Sequence, residues 1–95
     1  MKDKEIYQQK AEAKLNEWKA EVDKLKAKAS NASADAKQDL NRQIDMLERQ
    51  IEEGRAKLRE MRNTSHEAWE SIKDGMESGF DAIKSGFRDA ANKFK

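Results

Sequence analysis

Apolar and small residues recur along the first two thirds of the chain at alternating steps of three and four, at Leu15, Trp18, Val22, Leu25, Ala29, Ala32 and Ala36. This spacing is a heptad seam, the mark of a helix laid against another helix. The next steps, to Leu40, Ile44 and Leu47, run four, four and three, equivalent to a stutter that relaxes a left-handed supercoil. Three-four spacing then resumes through Ile51, Gly54, Leu58 and Met61, with Gly54 the one seam position that has no side chain. The pattern predicts a coiled-coil helix over residues 4–62. Acids placed three or four residues before bases, as in Glu21–Lys24, Asp39–Arg42, Asp45–Arg49 and Glu53–Lys57, suit a solvated helix exterior and contribute about 0.2–0.5 kcal/mol each.

Two stretches interrupt this reading. Ser30-Asn31-Ala32-Ser33-Ala34-Asp35 holds poor helix-interior residues, yet the seam crosses it without losing phase, so continuity is the expectation and a break at 30–35 the alternative. A continuous helix would be roughly 90 Å long at 1.5 Å per residue and would need a partner helix; a break would close the chain into a monomeric three-helix bundle. The second stretch, Asn63-Thr64-Ser65-His66-Glu67, is the stronger turn signal. Thr64 and Glu67 have capping-box spacing, and Asn63 suits a left-handed helix end.

The last third has a different period. Laid over one another, WESIKDGMESG (69–79) and FDAIKSGFRDA (80–90) match Trp69 with Phe80, Ile72 with Ile83, Lys73 with Lys84, Gly75 with Gly86 and Met76 with Phe87, and the register runs on to Phe94 and Lys95. Eleven residues in three turns is about 3.67 per turn, so the stripe Trp69, Ile72, Met76, Phe80, Ile83, Phe87, Phe94 stays on one face. An amphipathic helix over 65–94 follows. Ala68, Gly75, Gly79, Ala82, Gly86 and Ala90 line one flank of the stripe, and Lys73, Lys84 and Lys95 the other. Interior glycines cost about 1 kcal/mol each, whereas burying the large apolar side chains returns on the order of 10–20 kcal/mol. The helix is therefore expected to be ordered only when docked.

A hairpin turning near residues 63 and 64 sets Met76 against Ile51, Phe80 against Leu47, Phe87 against Leu40, and Phe94 against the alanines between 29 and 36. If the first helix is continuous, Ile6, Tyr7, Leu15, Trp18, Val22 and Leu25 have no partner within the chain. A homodimer would cover them.

The 95-residue composition sharpens this. Charged residues make up 41% against 36% hydrophobic, with no proline and no cysteine, so a walled pocket is improbable in a chain that buries only about 60% of its unfolded surface. Net charge is +1, with the signs interspersed, and neither nucleic acid nor an anionic surface is implied. Absence of cysteine removes disulfides and thiolate chemistry and fits a reducing, cytoplasmic setting. No apolar run exceeds two residues, too few for a signal peptide or a membrane span.

Candidate chemistry is sparse. His66 is the sole histidine, and with Glu67 and Glu70 it offers too few ligands of suitable geometry for a metal. Ser65 and Thr64 read as capping residues, and pairs such as Glu52–Glu53 lie on a solvated helix, not in the enclosed setting that acid–base work needs. The basic cluster Arg55, Lys57, Arg59, Arg62 has no aromatic neighbours for a nucleic-acid platform. No catalytic, metal or cofactor residue is assigned.

KAEAKLNEWKAEVDKLKAKA (10–29) and HEAWESIKDGMESGFDAIKSGF (66–87) resemble a family of small, uncharacterised bacterial coiled-coil proteins, some labelled stress-response proteins. The eleven-residue tandem also looks like the amphipathic helices of exchangeable apolipoproteins and late-embryogenesis-abundant proteins. These resemblances imply a bacterial, all-α protein, with a link to stress, and supply no catalytic residue.

The expectation is an all-α single domain in which a long coiled-coil helix carries a C-terminal helix folded back antiparallel, or alternatively a three-helix bundle. Its function is expected to be non-enzymatic self-association, a dimer favoured, through Leu15, Trp18, Val22, Leu25, Leu40, Ile44, Leu47, Ile51, Leu58, Met61, Trp69, Ile72, Met76, Phe80, Ile83, Phe87 and Phe94. Weak membrane-surface association through the C-terminal helix, or a holdase-like chaperone role, is the alternative.

Overall fold

The computed structural model describes residues 2–65 and 67–93 and contains, among them, three helices: α1 (Lys2–Ser30), α2 (Ala34–Arg62) and α3 (Trp69–Lys93). They pack up-down-up into a rod with extents of 49 × 19 × 17 Å, the length expected of a 29-residue helix at about 1.5 Å per residue. The continuous helix over 4–62 is not formed; the three-helix alternative is.

Short polar side chains explain the break. Ser30 Oγ donates to the Ala27 carbonyl at 2.7 Å and Asn31 Nδ2 to the same oxygen at 3.4 Å, together occupying the one acceptor that the helix ladder would offer to Asn31 N. The backbone tightens to i−3 bonds, Asn31 N to Lys28 O and Ala32 N to Ala29 O. Ser33 then opens α2 in extended conformation at φ −62°, ψ 161°. The alanine seam keeps its phase through this turn because small residues fit a closed bundle end as well as a continuous helix: Ala29 is 2% exposed, and Ala32 packs half-buried on the core.

The second turn differs from its expected form. Asn63 has φ −98°, ψ 4°, not left-handed. Thr64 Oγ1 donates backwards to the Glu60 carbonyl, prolonging the end of α2 in place of starting a capping box with Glu67. The connection runs to residue 68, and α3 begins at Trp69, not at 65; His66 lies outside the described residues.

This longer turn shifts the hairpin register. Phe80 lies against Gly54, not Leu47, and Gly86 packs on Leu47, while Gly75 meets the Lys57 stem. The expected pairings Met76–Ile51, Phe80–Leu47 and Phe87–Leu40 are thereby displaced by nearly two turns, since each residue added to a turn moves the whole returning helix.

The core runs along the axis and is fed by all three helices, and Leu15, Met61 and Ile83 are completely buried. Its α1 share, including Trp18, Val22 and Leu25, is covered by α2 and α3 of the same chain, which removes the uncovered face that argued for a dimer. Exposed ties join α1 to α2: Arg62 to Glu12 at 2.9 Å and Lys26 to Glu48 at 3.1 Å. Such pairs are worth up to about 1 kcal/mol each.

The glycines separate into two kinds. A Cβ on Gly86 would stand 2.7 Å from Leu47 Cδ2, and Leu47 is only 1% exposed, whereas a Cβ on Gly79 would meet nothing within 4 Å. Gly79→Ala is expected to stabilise by about 0.5–1 kcal/mol through helix propensity, and Gly86→Ala to destabilise, overpacking outweighing the same gain. Thermal melts of the two variants should move in opposite directions.

Candidate functional site

Of the seventeen residues assigned to the apolar face, fourteen are buried, from Leu15 to Ile83 along the chain. Ile72 and Phe87 are half-buried against the core, and Phe94 lies outside the described residues. These positions are structural, so a functional surface has to be sought in what the bundle leaves open.

The two flanks of the α3 stripe have separate roles. Its small flank faces α2, giving grooves of about 310 and 240 Å³ over Gly75, Gly79, Ala82 and Gly86. Its lysine flank faces α1. Lys73 Nζ stands 5.3 Å from the Tyr7 ring centroid and 5.6 Å from that of Trp69, a cation over two aromatic faces.

At this same end Tyr7 donates its hydroxyl hydrogen to Glu77 Oε1 at 2.8 Å, and Lys4 Nζ donates to the Thr64 carbonyl at 2.7 Å, so the start of α1 is tied to α3 and to the second turn. Burial pushes the Tyr7 hydroxyl well above the ordinary tyrosine range, and the Glu77 hydrogen bond and the charges of Glu77 and Asp74 push it the same way. The folded state thus holds this proton more tightly than the unfolded chain, where tyrosine titrates near about 10. The associated stability is complete below about pH 10 and is lost as pH rises beyond it. Tyr7→Phe, which has no proton to lose, is expected to show a shallower fall of Tm between about pH 9.5 and 11.5; equal slopes in parent and variant would exclude the contribution.

Between α1 and α3 the bundle is more open. Trp18 meets Phe80 edge-on at 5.0 Å between ring centroids, and these large rings hold the two backbones apart where α2 approaches both closely. The result is a groove of about 490 Å³ above Trp18, Leu25, Phe87 and Ala91, against about 90 Å³ between α1 and α2. Glu17 and Glu21 form its α1 lip, with Lys28 at one end, and Lys84 and Arg88 form its α3 lip. Among the described residues neither acid is ion-paired to either base of the α3 lip; Glu21 instead reaches Lys24 on its own helix at 3.5 Å.

The groove thus sets an apolar floor between an acidic pair and a basic pair, an arrangement complementary to a surface of reversed charge. The sequence pattern assigns Trp18, Leu25 and Phe87 of this floor to the core and marks neither Ala91 nor the lips. The signal available is the one-sided placement of Lys84 beside the stripe, but which helix that flank faces is set by packing. Ala11, 2% exposed, also belongs to the core without having been expected there, and Tyr7, expected on the face a homodimer would cover, packs partly buried against the core of its own chain, each extending the Leu15 face backwards by a step of four, while Ile6 stays 49% exposed.

Among the described residues no group of three or more His, Cys, Asp or Glu side chains is placed to hold a metal ion, and no helix is long and apolar enough to cross a membrane. Comparison with protein-family models, curated proteins and solved structures finds no match to this chain.

Proposed function

We propose that the chain is a non-enzymatic interaction protein that acts by helical self-association. The observation that supports this is the α1–α3 groove, in which Glu17 and Glu21 on one lip and Lys84 and Arg88 on the other flank a partly exposed apolar floor and, among the described residues, form no ion pair with one another. The apolar seam is spent inside the bundle, so association falls to this outer surface, and its strength should depend on charge. Sedimentation velocity over a concentration range from micromolar to millimolar tests the reading: a concentration-dependent shift towards a larger species is expected, and a single monomer species throughout would exclude it.

A second reading is lipid association by α3, favoured by the one-sided apolar stripe of that helix. It requires α3 to leave the bundle, because Trp69, Met76, Phe80 and Ile83 are each 6% exposed or less. The segment 63–95 carries five bases and six acids and gains little from anionic headgroups. A holdase-like role would use the same opening. Flotation with neutral and with anionic vesicles is expected to leave the full chain in the soluble fraction; co-flotation abolished by removing the segment after Thr64 would favour the lipid reading over ours.

A further inference from the structure

We infer that the occupant of the α1–α3 groove is the same face of a second copy, set parallel about a twofold axis running along the rod, an inference that rests on the self-association reading above. Ring contacts fix the level of the two helices: Tyr7 meets Trp69 and Trp18 meets Phe80, a constant offset of 62 residues. By that offset Glu21 is level with Lys84 to within one residue, and Lys14 with Glu77.

A twofold axis parallel to the rod lays α1 of one copy over α3 of the other without changing level. Glu21 then meets Lys84 of the second copy, and Lys14 meets Glu77 of the second copy, which also accepts from Tyr7 of its own chain; a like-charge approach is Lys28 towards Arg88, within two residues of level at the groove end. Symmetry repeats each contact. An antiparallel arrangement centred on Glu17 and Glu21 lays acid on acid and base on base. Like-charge contact of this kind is how interfaces reject a wrong orientation. The side of a rod 49 Å long and 17 Å thick also provides roughly the 800 Å² per partner of a standard stable interface. Its pairs are exposed and worth up to about 1 kcal/mol each, so charge sets the orientation while the apolar floor carries the rest, and the dimer should weaken as salt screens the pairs.

The test uses the full chain and two lip-reversed variants: Glu17→Lys with Glu21→Lys, whose lips are both basic, and Lys84→Glu with Arg88→Glu, whose lips are both acidic. The parent is expected to dimerise, with Kd rising at least about tenfold between 0.05 and 0.5 M NaCl. Each variant alone is expected to be monomeric at concentrations where the parent is dimeric, with unchanged helical circular dichroism. Mixed in equal amounts, they are expected to form a heterodimer, because positions 17 and 21 of each copy again carry the charge opposite to positions 84 and 88 of the other. Variants that dimerise alone as tightly as the parent, or a mixture that forms no heterodimer, would overturn the groove assignment while leaving self-association standing. A parent that stays monomeric throughout overturns both.

Discussion

Phe80→Asp is expected to unfold the protein, whereas Phe87→Asp, two turns further along the same helix, should leave it folded with a lowered Tm. Phe80 is 6% exposed, packs edge-on against Trp18 and lies against Gly54, so a carboxylate there would be placed where all three helices meet. Among the described residues no charged side chain is buried. Burying an unpaired charge costs several kcal/mol even after relaxation, and loss of the ring adds about 3–5 kcal/mol. Together these reach the total stability of about 5–15 kcal/mol typical of a small domain. Phe87 is half-buried on the groove floor beside Lys84 and Arg88, where a carboxylate keeps contact with water and with two bases. Circular dichroism at 25 °C separates the two cases: a helical spectrum for Phe80→Asp would mean that α3 does not depend on this face.

The second large effect concerns Leu15 and Gly54. Leu15 is completely buried, and its Cδ2 lies 2.9 Å from where a Cβ on Gly54 would stand. Leu15→Ala is expected to cost about 2–5 kcal/mol through lost burial and the cavity left behind. Gly54→Ala alone sets an overpacking cost of about 1–3 kcal/mol against a propensity gain of about 1 kcal/mol, and should be mildly destabilising because the buried Leu15 has little room to yield. In the double variant the new methyl enters the space that the leucine vacated. The two changes should therefore couple, the pair costing less than the sum of the singles by at least about 0.5 kcal/mol. Additive denaturant midpoints would show that the two positions do not touch.

Both expected effects fall on positions that apolar spacing alone marks as helix-packing sites, but they depend on neighbours that spacing does not identify. The seam from Leu15 to Met61 and the stripe from Trp69 to Ile83 are buried at almost every step, because an amphipathic helix has one way to turn its apolar face from water. Gly54 is recognisable as a seam position without a side chain, and only the packing of α1 against it shows where the missing volume comes from. The break between α1 and α2 carries a weak signal, Ser30-Asn31, which the unbroken phase of the alanine spacing obscures. Phase along one helix says nothing about whether the next residues continue that helix or return beside it.

The candidate groove is less legible. Its acids and bases are ordinary members of a mixed-charge sequence, separated by more than sixty positions, and acquire meaning only when Glu21 and Lys84 are brought level by the Trp18–Phe80 contact.

What the amino-acid sequence determines by itself is therefore local and periodic: helical character, the identity of the buried faces, the turn region around residues 63–67, and the division of α3 into a small flank and a lysine flank. Tertiary structure decides the three-helix closure, the register of α2 against α3, and which flank meets which helix. The reason is one of range. Periodicity follows from the geometry of a single helix, whereas register depends on turn length and on which large side chains hold two backbones apart, quantities that arise only when distant segments pack.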